Sequence, residues 1–311
     1  MKKRKENEKL MFLALMSFLL IASTAISISV EKKKKSDVKA IEPEYLSKNL
    51  APIPRLTNSA EFPILSAQGA LIIDLNSMVP LYEKNPDQEL LPASTTKILT
   101  ALTAMDTYKL EDVLTVGGKR VEGQKMGLVV GEKMTFENLL KGLLIFSAND
   151  AAEAIAENYP GGRRVFIDSM NEKAAKLNLT KSHFENPTGF DGGENYTTTR
   201  DLIRLSIIAM QNPVFTEIVG QKEVVVNSTD ERFVHRLKNT NKLLFKDLGV
   251  RGVKTGWTEN ARENLVTYIE KDGKKIIIAL LGNQDSFGET EELITWMFDN
   301  FVWEEVNYSN D

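Results

Sequence analysis

The order of its hydrophobic patterns constrains the fold of this chain more than any other feature. Two strand-like runs open the body, a long stretch with helical periodicity follows, and two more strand-like runs and a helix close it. The strand-like runs lie at residues 67–74, 79–84, 264–270 and 275–281, and the helical patterns at residues 133–158, 163–178, 199–211 and 290–301. If the early hairpin pairs with the late one, the four runs form one antiparallel sheet. The sequence therefore predicts an α+β fold whose sheet is split by a helical insertion at about residues 95–250.

The first 30 residues are typical of an export segment. Residues 2–9 are basic, residues 10–30 carry no charge, and a lysine run follows at residues 32–35. An uncharged run of this length matches the roughly 20 residues of a membrane-spanning helix better than the about 7–15 of a cleavable signal peptide. We therefore favour an uncleaved membrane anchor over residues 1–30, with a cleaved signal peptide as the alternative. Either one places the body outside the cytoplasmic membrane.

The next segment separates the anchor from the body. Residues 31–57 contain a lysine run, three prolines and little apolar periodicity, which is typical of a tether. Its lysines could rest on anionic lipid headgroups, although a solvated spacer explains them equally well. We expect the folded domain to occupy residues 58–305 and a short tail to occupy residues 306–311.

Charge and residue usage exclude several kinds of chemistry. Beyond residue 40 the chain has 29 basic and 39 acidic residues, and a body with a net charge of −10 repels nucleic acid. Cysteine is absent, which excludes disulfides, thiolate nucleophiles and cysteine-based zinc sites. There are two histidines, and no serine lies in a Gly-x-Ser-x-Gly turn. We therefore expect no nucleic-acid partner, no metal, no cofactor and no histidine in the chemistry.

Three short elements carry residues suited to nucleophilic catalysis. They are Ser-Thr-Thr-Lys at residues 94–97, Ser-Ala-Asn at residues 147–149 and Lys-Thr-Gly at residues 254–256. Each is weak alone, because Ser-x-x-Lys also occurs at residues 36–39 and Ser-x-Asn at residues 47–49. Their positions are more specific: the first opens an apolar helix, the second breaks the helical middle and the third begins the late strands. The three elements can therefore converge on one cleft between the helices and the sheet.

Together with their flanking segments, these elements resemble the D-alanyl-D-alanine carboxypeptidases of the low-molecular-mass penicillin-binding proteins, in the serine β-lactamase/DD-peptidase superfamily. The segments are PASTTK at 92–97, SANDAA at 147–152, FENPTGF at 184–190, NTNKLL at 239–244 and GVKTGWT at 252–258. The resemblance covers about residues 58–305 and implies the fold of that superfamily. It also implies a hydrolase that removes the terminal D-alanine from peptidoglycan stem peptides ending in D-Ala-D-Ala, with β-lactams as inhibitors.

The resemblance assigns the catalytic roles. Ser94 is the nucleophile that forms the acyl-enzyme, and Lys97 is its general base. Residues three apart in a helix share one face, so the amine can reach the hydroxyl. Lysine accepts a proton only when it is neutral, and both burial and a second cation at Lys254 favour the neutral form. Ser147 is expected to relay a proton between Lys254 and the leaving amine, and Asn149 to contact a substrate amide and orient Lys97.

The resemblance also assigns the substrate-binding residues. Lys254 and Thr255 are expected to bind the terminal carboxylate of the peptide. Gly256 lets the substrate lie against the strand as an added strand. The backbone N–H groups of Ser94 and Trp257 are expected to form the oxyanion hole, in which one donor typically contributes about 10²–10³ in rate.

Two other functions share the same sequence features. An endopeptidase acting on cross-linked peptides would use every residue named above. A non-catalytic module that senses penicillin or binds the wall could keep the fold, although the intact Ser94, Lys97 and Lys254 favour catalysis. A class A β-lactamase is disfavoured. In those enzymes the glutamate that activates the water is followed by x-x-Leu-Asn, whereas Glu185 is followed by Asn-Pro-Thr-Gly.

Overall fold

Strands, helices and strands follow one another along the chain, as the hydrophobic patterns predict. The computed structural model describes residues 51–57 and 61–305. Its strands are β1 Ile53–Leu56, β2 Gly69–Asp74, β3 Pro80–Lys84, β4 Val113–Thr115, β5 Lys133–Thr135, β6 Glu223–Asn227, β7 Val234–Lys238, β8 Val250–Thr258, β9 Arg262–Lys271, β10 Lys274–Asn283 and β11 Phe301–Glu304. Its α-helices are α1 Lys97–Met105, α2 Phe136–Leu144, α3 Asn149–Glu157, α4 Gly162–Lys176, α5 Thr199–Met210, α6 Pro213–Gly220 and α7 Ser286–Asn300, with short 3-10 helices at Ala93–Thr96 and Lys242–Phe245.

A five-stranded antiparallel sheet pairs early strands of the chain with late ones. Its strand order is β3-β2-β10-β9-β8. The early strand β2 pairs with the late strand β10 from Ile276 opposite Asp74 to Leu281 opposite Gly69. The predicted pairing of the early and late hairpins is therefore confirmed, and so is the α+β class. Strand β8, which carries the Lys-Thr-Gly element, lies at an edge of this sheet.

The central strand β10 is buried on both faces, which explains its unbroken apolar sequence. Side chains alternate across a strand, so Ile276, Ile278 and Leu280 face a core shared with α7. Ile277 and Leu281 face the larger core that the helices of the insertion build. The sheet therefore has helices on both sides, and the helical insertion packs over one face.

The break in the helical middle falls where the second short element lies. Thr135 caps the start of helix α2, because its hydroxyl accepts a hydrogen bond from the Asn138 N–H at 3.3 Å. Such caps stabilise helix starts by typically about 1 kcal/mol. After α2 ends, Ser147 adopts φ +62° and Ala148 is extended. The chain then enters α3 at Asn149. The turn at Ser147 directs the second element towards the sheet.

Several elements were not visible in the sequence pattern. The described residues include three two-stranded ribbons, β1–β11, β4–β5 and β6–β7, and the separate helix α6. Strand β1 lies inside the range predicted as a tether. The predicted anchor at residues 1–30, the tether up to residue 50 and the tail at residues 306–311 lie outside the described residues, and the predicted domain boundary at residue 58 stays a prediction.

Among the helices of residues 51–57 and 61–305, none by itself combines the length and the hydrophobicity of a membrane span. The pair α5 and α6 meets the length and composition limits only when taken together, and it is bent by 104°.

Replacing Ile278 tests the packing of the central strand. Ile278 is fully buried, so Ile278→Ala should lower the free energy of unfolding by about 2–5 kcal/mol, because a cavity remains beside α7. Val225 lies on the β6–β7 ribbon and is 51% exposed. Val225→Ala should therefore change the free energy of unfolding by no more than about 0.5 kcal/mol. Denaturant titration of the two variants measures the difference. Equal, small losses would contradict the burial of β10.

Candidate active site

Ser94 lies in a segment that is held tightly by its neighbours. The 3-10 helix Ala93–Thr96 continues directly into α1 at Lys97, so Ser94 precedes the first turn of that α-helix. Ala93 adopts φ +46°, a left-handed conformation that costs a non-glycine residue about 1–2 kcal/mol. A methyl group added at Gly189 would lie 1.8 Å from the carbonyl oxygen of Ala93, and one at Gly256 would lie 3.1 Å from the Ser94 nitrogen. Backbone from two other segments therefore encloses the serine.

The amine of Lys97 is fully buried and meets three partners. Its Nζ lies 2.7 Å from Ser94 Oγ, 2.6 Å from Asn149 Oδ1 and 2.8 Å from the carbonyl oxygen of Thr188. The last two atoms can only accept hydrogen bonds. A neutral amine has two N–H bonds, which these two oxygens satisfy, and one lone pair, which then faces the hydroxyl of Ser94. A neutral lysine that accepts the proton of Ser94 fits these contacts, and so does an ammonium that donates to Ser94 Oγ. The charge of Lys97 is therefore set by its electrostatic environment.

The electrostatic environment favours the neutral state. Burial lowers the pKa of Lys97 well below its ordinary value of 10.5, and the charge of Lys254 lowers it further. The carboxylates of Asp150 and Glu153 act in the opposite direction and are weaker. Burial also lowers the pKa of Lys254, to about 7. Because two neighbouring buried amines cannot both hold a proton at low cost, we assign the neutral state to Lys97.

The second element forms one wall of the cleft. Asn149 Nδ2 donates to the carbonyl oxygen of Glu122 at 2.7 Å, and the Asn149 backbone N–H donates to that of Gln124 at 2.7 Å. The carboxamide of Asn149 is thus fixed from both ends, since its oxygen accepts from Lys97. One amide hydrogen of Nδ2 is left for a ligand. Ser147 is buried at the lip of the same wall.

Strand β8 forms the opposite wall. Thr255 Oγ1 lies 2.7 Å from Thr240 Oγ1, which ties the strand to the end of the β6–β7 ribbon. Lys254 is 1% exposed, and its Nζ donates to the carbonyl oxygen of Thr255 at 3.0 Å. A positive charge on Lys254 therefore acts on the cleft from beneath the strand, because the amine itself is not exposed in the cleft. Trp257 is 67% exposed and stands at the rim.

A cavity of about 780 Å³ lies between these walls, within the range of small-ligand sites. Six of the eight residues singled out in the sequence line it, namely Ser94, Ser147, Asn149, Thr255, Gly256 and Trp257. The two lysines lie below its floor. The structure therefore brings the three elements together at one cleft, as their order and spacing predict.

Sequence reasoning missed several contributors to the cleft. Thr188 acts through its backbone carbonyl and Thr240 through its hydroxyl. Asp191 closes one end, because its carboxylate accepts from Thr258 Oγ1 at 2.7 Å and from the Asn260 N–H at 3.2 Å. Two of these residues lie in the segments at 184–190 and 239–244 that carried the resemblance. A backbone carbonyl has no residue-type signal, so its role could not be read from the sequence.

Comparison with known proteins agrees with this arrangement. A family model described as D-alanyl-D-alanine carboxypeptidase, Peptidase S11, matches residues 56–285. The chain is 34% identical to the D-alanyl-D-alanine carboxypeptidase DacF of Bacillus subtilis (strain 168) over 70% of this chain and 57% of that protein, so it matches little more than half of that relative. It is 33% identical to the D-alanyl-D-alanine carboxypeptidase DacB2 of Mycobacterium tuberculosis over 77% of this chain and 85% of that protein.

Two further comparisons concern function and fold. A D-alanyl-D-alanine endopeptidase of Escherichia coli (strain K12) is 28% identical over 77% of this chain and 79% of that protein. The crystal structure of a D-alanyl-D-alanine carboxypeptidase from Mycobacterium tuberculosis H37Rv superposes with a TM-score of 0.73 at 31% identity, covering 80% of this chain and 99% of that one. The fold is thus that of the DD-peptidases. The chain belongs to the D-alanyl-D-alanine carboxypeptidase family of serine peptidases.

A methyl group at Gly189 tests the enclosure of the serine segment. In Gly189→Ala the new Cβ would overlap the carbonyl oxygen of Ala93, at a position with φ +74°. We expect a loss of stability beyond the roughly 1–2 kcal/mol of the backbone conformation, and slower reaction of Ser94 with a fluorescent penicillin. Gly127→Ala is the matched control, because Gly127 has φ +87° and no atom within 4 Å of the added methyl. Equal melting temperatures of the two variants, together with wild-type reaction rates, would show that Gly189 does not enclose the serine segment.

The buried amine of Lys254 should be visible in the pH dependence of stability. Its folded-state pKa of about 7 lies below the ordinary 10.5, so between these values the unfolded chain binds one proton more. The free energy of unfolding therefore rises with pH in this window. Relative to Lys254→Met, the wild type should gain roughly 1 kcal/mol per pH unit from about pH 7 to 9. Denaturant titration across this range measures the difference; a constant difference would mean that the folded protein keeps this proton.

Proposed function

We propose that this chain removes the terminal D-alanine from peptidoglycan stem peptides through an acyl-enzyme on Ser94. The observation that carries the proposal is the position of the Lys97 amine, 2.7 Å from Ser94 Oγ, with its two other contacts to atoms that only accept. A neutral amine in this position serves as the general base. Neither a metal nor a histidine is needed for this step.

Acylation begins with a proton transfer to Lys97. Ser94 Oγ attacks the carbonyl carbon of the penultimate D-alanine while its proton moves to the neutral Nζ of Lys97. The carbonyl oxygen becomes an oxyanion, and the backbone N–H groups of Ser94 and Trp257 stabilise it. Gly256 supports this role, because the absence of a side chain lets β8 approach the Ser94 nitrogen closely.

The same side chains then release the leaving group and hydrolyse the acyl-enzyme. The C–N bond breaks as the leaving nitrogen receives a proton that Ser147 relays from Lys254, and free D-alanine departs. The proton that Lys97 took from Ser94 replaces the one that Lys254 gave up, so Lys97 is neutral again. A water molecule then attacks the acyl carbonyl and gives its proton to Lys97. The ester bond breaks, and Lys97 returns this proton to Ser94 Oγ, which is released as the hydroxyl. This second half uses no carboxylate to activate the water, unlike a class A β-lactamase, and we expect β-lactams to act as inhibitors.

The edge of the sheet supplies the binding surface for the peptide. β8 is an edge strand, so an extended peptide can pair with it as a sixth strand. Thr255 and the charge of Lys254 beneath it would hold the terminal carboxylate. Asn149 would donate its remaining amide hydrogen to the peptide on the opposite wall. These contacts select peptides with a free C-terminus.

Endopeptidase action on cross-linked peptides is the second candidate. The Escherichia coli relative described above is named an endopeptidase, and the proposed chemistry is identical for both bonds. A non-catalytic wall-binding or penicillin-sensing module is disfavoured by the intact Ser94–Lys97 pair. Comparing D-alanine release from a pentapeptide with cleavage of a cross-linked dimer separates the two peptidase activities.

The substrate also defines where the enzyme works. Peptidoglycan lies outside the cytoplasm, and the family acts on the cell wall. We propose that the uncharged run at residues 10–30 carries the domain across the cytoplasmic membrane and either anchors it there or is removed. Fractionation of cells, together with the mass of the mature chain, distinguishes a membrane-anchored from a secreted form.

Single substitutions at the serine–lysine pair test the chemistry. Ser94→Ala should abolish both D-alanine release and covalent labelling by a fluorescent penicillin, because no nucleophile remains. Lys97→Met should slow acylation by about 10²–10⁴-fold, the usual contribution of a general base. Thermal melts of both variants show whether the fold is kept. Labelling that persists in folded Ser94→Ala, or wild-type protein that neither labels nor releases D-alanine, would refute the assignment.

A further inference from the structure

We propose that Asn264 is a positioning residue that sets the spacing between the two oxyanion-hole donors. This inference rests on the proposed function, because it concerns the geometry of the same acylation step. Asn264 does not touch the reacting atoms. It acts through the chain that precedes Ser94 and through the strand next to Trp257.

The carboxamide of Asn264 joins two segments that are far apart in sequence. Its Nδ2 donates to the carbonyl oxygen of Leu91 at 2.9 Å, and its Oδ1 accepts from the Gly282 N–H at 2.8 Å. Leu91 lies three residues before Ser94, and Gly282 lies near the end of β10. Asn264 itself is 1% exposed. A single buried side chain therefore ties the serine segment to the sheet.

The pairing of β8 with β9 places this side chain next to the oxyanion hole. Asn264 is opposite Gly256 in the ladder, and Glu263 is opposite Trp257. The backbone at Gly256 lies against the Ser94 nitrogen, as the 3.1 Å position of an added methyl shows. One donor, the Ser94 N–H, belongs to the segment that Asn264 holds. The other, the Trp257 N–H, belongs to the strand paired with its own.

An asparagine is suited to this position because both of its polar groups are needed. The ladder between β9 and β10 is irregular between Leu280 and Asn283, and the Gly282 N–H in this interval finds its partner in Asn264 Oδ1. The Leu91 carbonyl needs a donor, which Nδ2 supplies. Buried polar groups left without partners cost about 1–3 kcal/mol each. Aspartate lacks the donor, and alanine lacks both groups.

Donors in an oxyanion hole stabilise the transition state only within about 2.7–3.1 Å of the developing charge. If the contact to Leu91 is lost, the Ser94 segment can shift relative to β8, and one of the two donors leaves this range. The effect should fall on the rate of acylation and not on the initial binding of the peptide. The substitution should also lower the affinity for a peptide boronic acid that ends in a D-alanine analogue. The tetrahedral adduct of this inhibitor with Ser94 places an oxygen in the same oxyanion hole.

The experiment compares Asn264→Asp and Asn264→Ala with wild type in full-length protein. Stopped-flow labelling with a fluorescent penicillin gives two quantities, the rate constant of acylation and the fraction of protein labelled. We expect the rate constant to fall by about 10–100-fold, which is less than the roughly 10²–10³-fold effect of removing an oxyanion donor because the donor is displaced and not removed. We expect boronic acid affinity to fall by a similar factor. KM for the peptide should change less than threefold.

Asn283→Ala provides the matched control. Asn283 is also a fully buried asparagine in this sheet, but its Oδ1 accepts from Ser66 Oγ at 3.1 Å and holds no part of the serine segment. This variant should keep the wild-type rate constant even if it melts at a lower temperature. It separates a general effect of removing a buried carboxamide from the specific effect at Asn264.

The outcomes distinguish the inference from the proposed function. If the Asn264 variants lose labelled fraction while the folded remainder reacts at the wild-type rate, Asn264 only stabilises the fold and the inference is overturned. The same holds if boronic acid affinity is unchanged. If wild-type protein itself neither labels nor releases D-alanine, the proposed function fails first. Because Asp keeps the size of the side chain and Ala introduces no charge, the rate can be read from whichever variant folds better.

Discussion

The neutral amine of Lys97 is the group on which the other features of the cleft depend. Its two N–H bonds are used by Asn149 and by the carbonyl of Thr188, which leaves its lone pair directed at Ser94. These partners come from the start of α3 and from a loop far along the chain. The position of the base beside the serine therefore depends on contacts from the helical insertion as well as on the shared segment of Ser94 and Lys97.

Charge and burial act together at this point. Two lysines with almost no solvent exposure lie beneath one cleft, and desolvation lowers the pKa of both. Binding of a carboxylate above Lys254 would favour the cationic form of that residue. A cation there makes protonation of Lys97 still less favourable. A substrate with a free C-terminus would thus reinforce the neutral state that burial already favours for Lys97.

The sequence predicted the sheet and the convergence of the three elements because both depend on side-chain type. Short apolar runs bounded by turn residues predict strands such as β2 and β10, and Ser94, Lys97 and Lys254 have chemistry that their identity reveals. Other features depend on backbone conformation, which side-chain identity does not report. The carbonyl of Thr188 and the left-handed turn at Ser147 are of this kind. Strand β1 lies in the range predicted as a tether, because its prolines and its short length give no sequence signal for the pairing with β11.

That pairing has a consequence for the architecture of the whole domain. Ile53 and Glu304 are opposite each other in the β1–β11 ribbon. The start of the first strand of the described chain therefore lies beside the end of the last strand. Chains whose ends are adjacent tolerate circular permutation and insertion into other proteins. A short linker between these two strands, with new ends opened in a surface loop far from the cleft, should leave the domain able to fold. The β1–β11 ribbon thus brings both ends of the described domain to one place, where a connection to another protein would leave the interior of the domain unchanged.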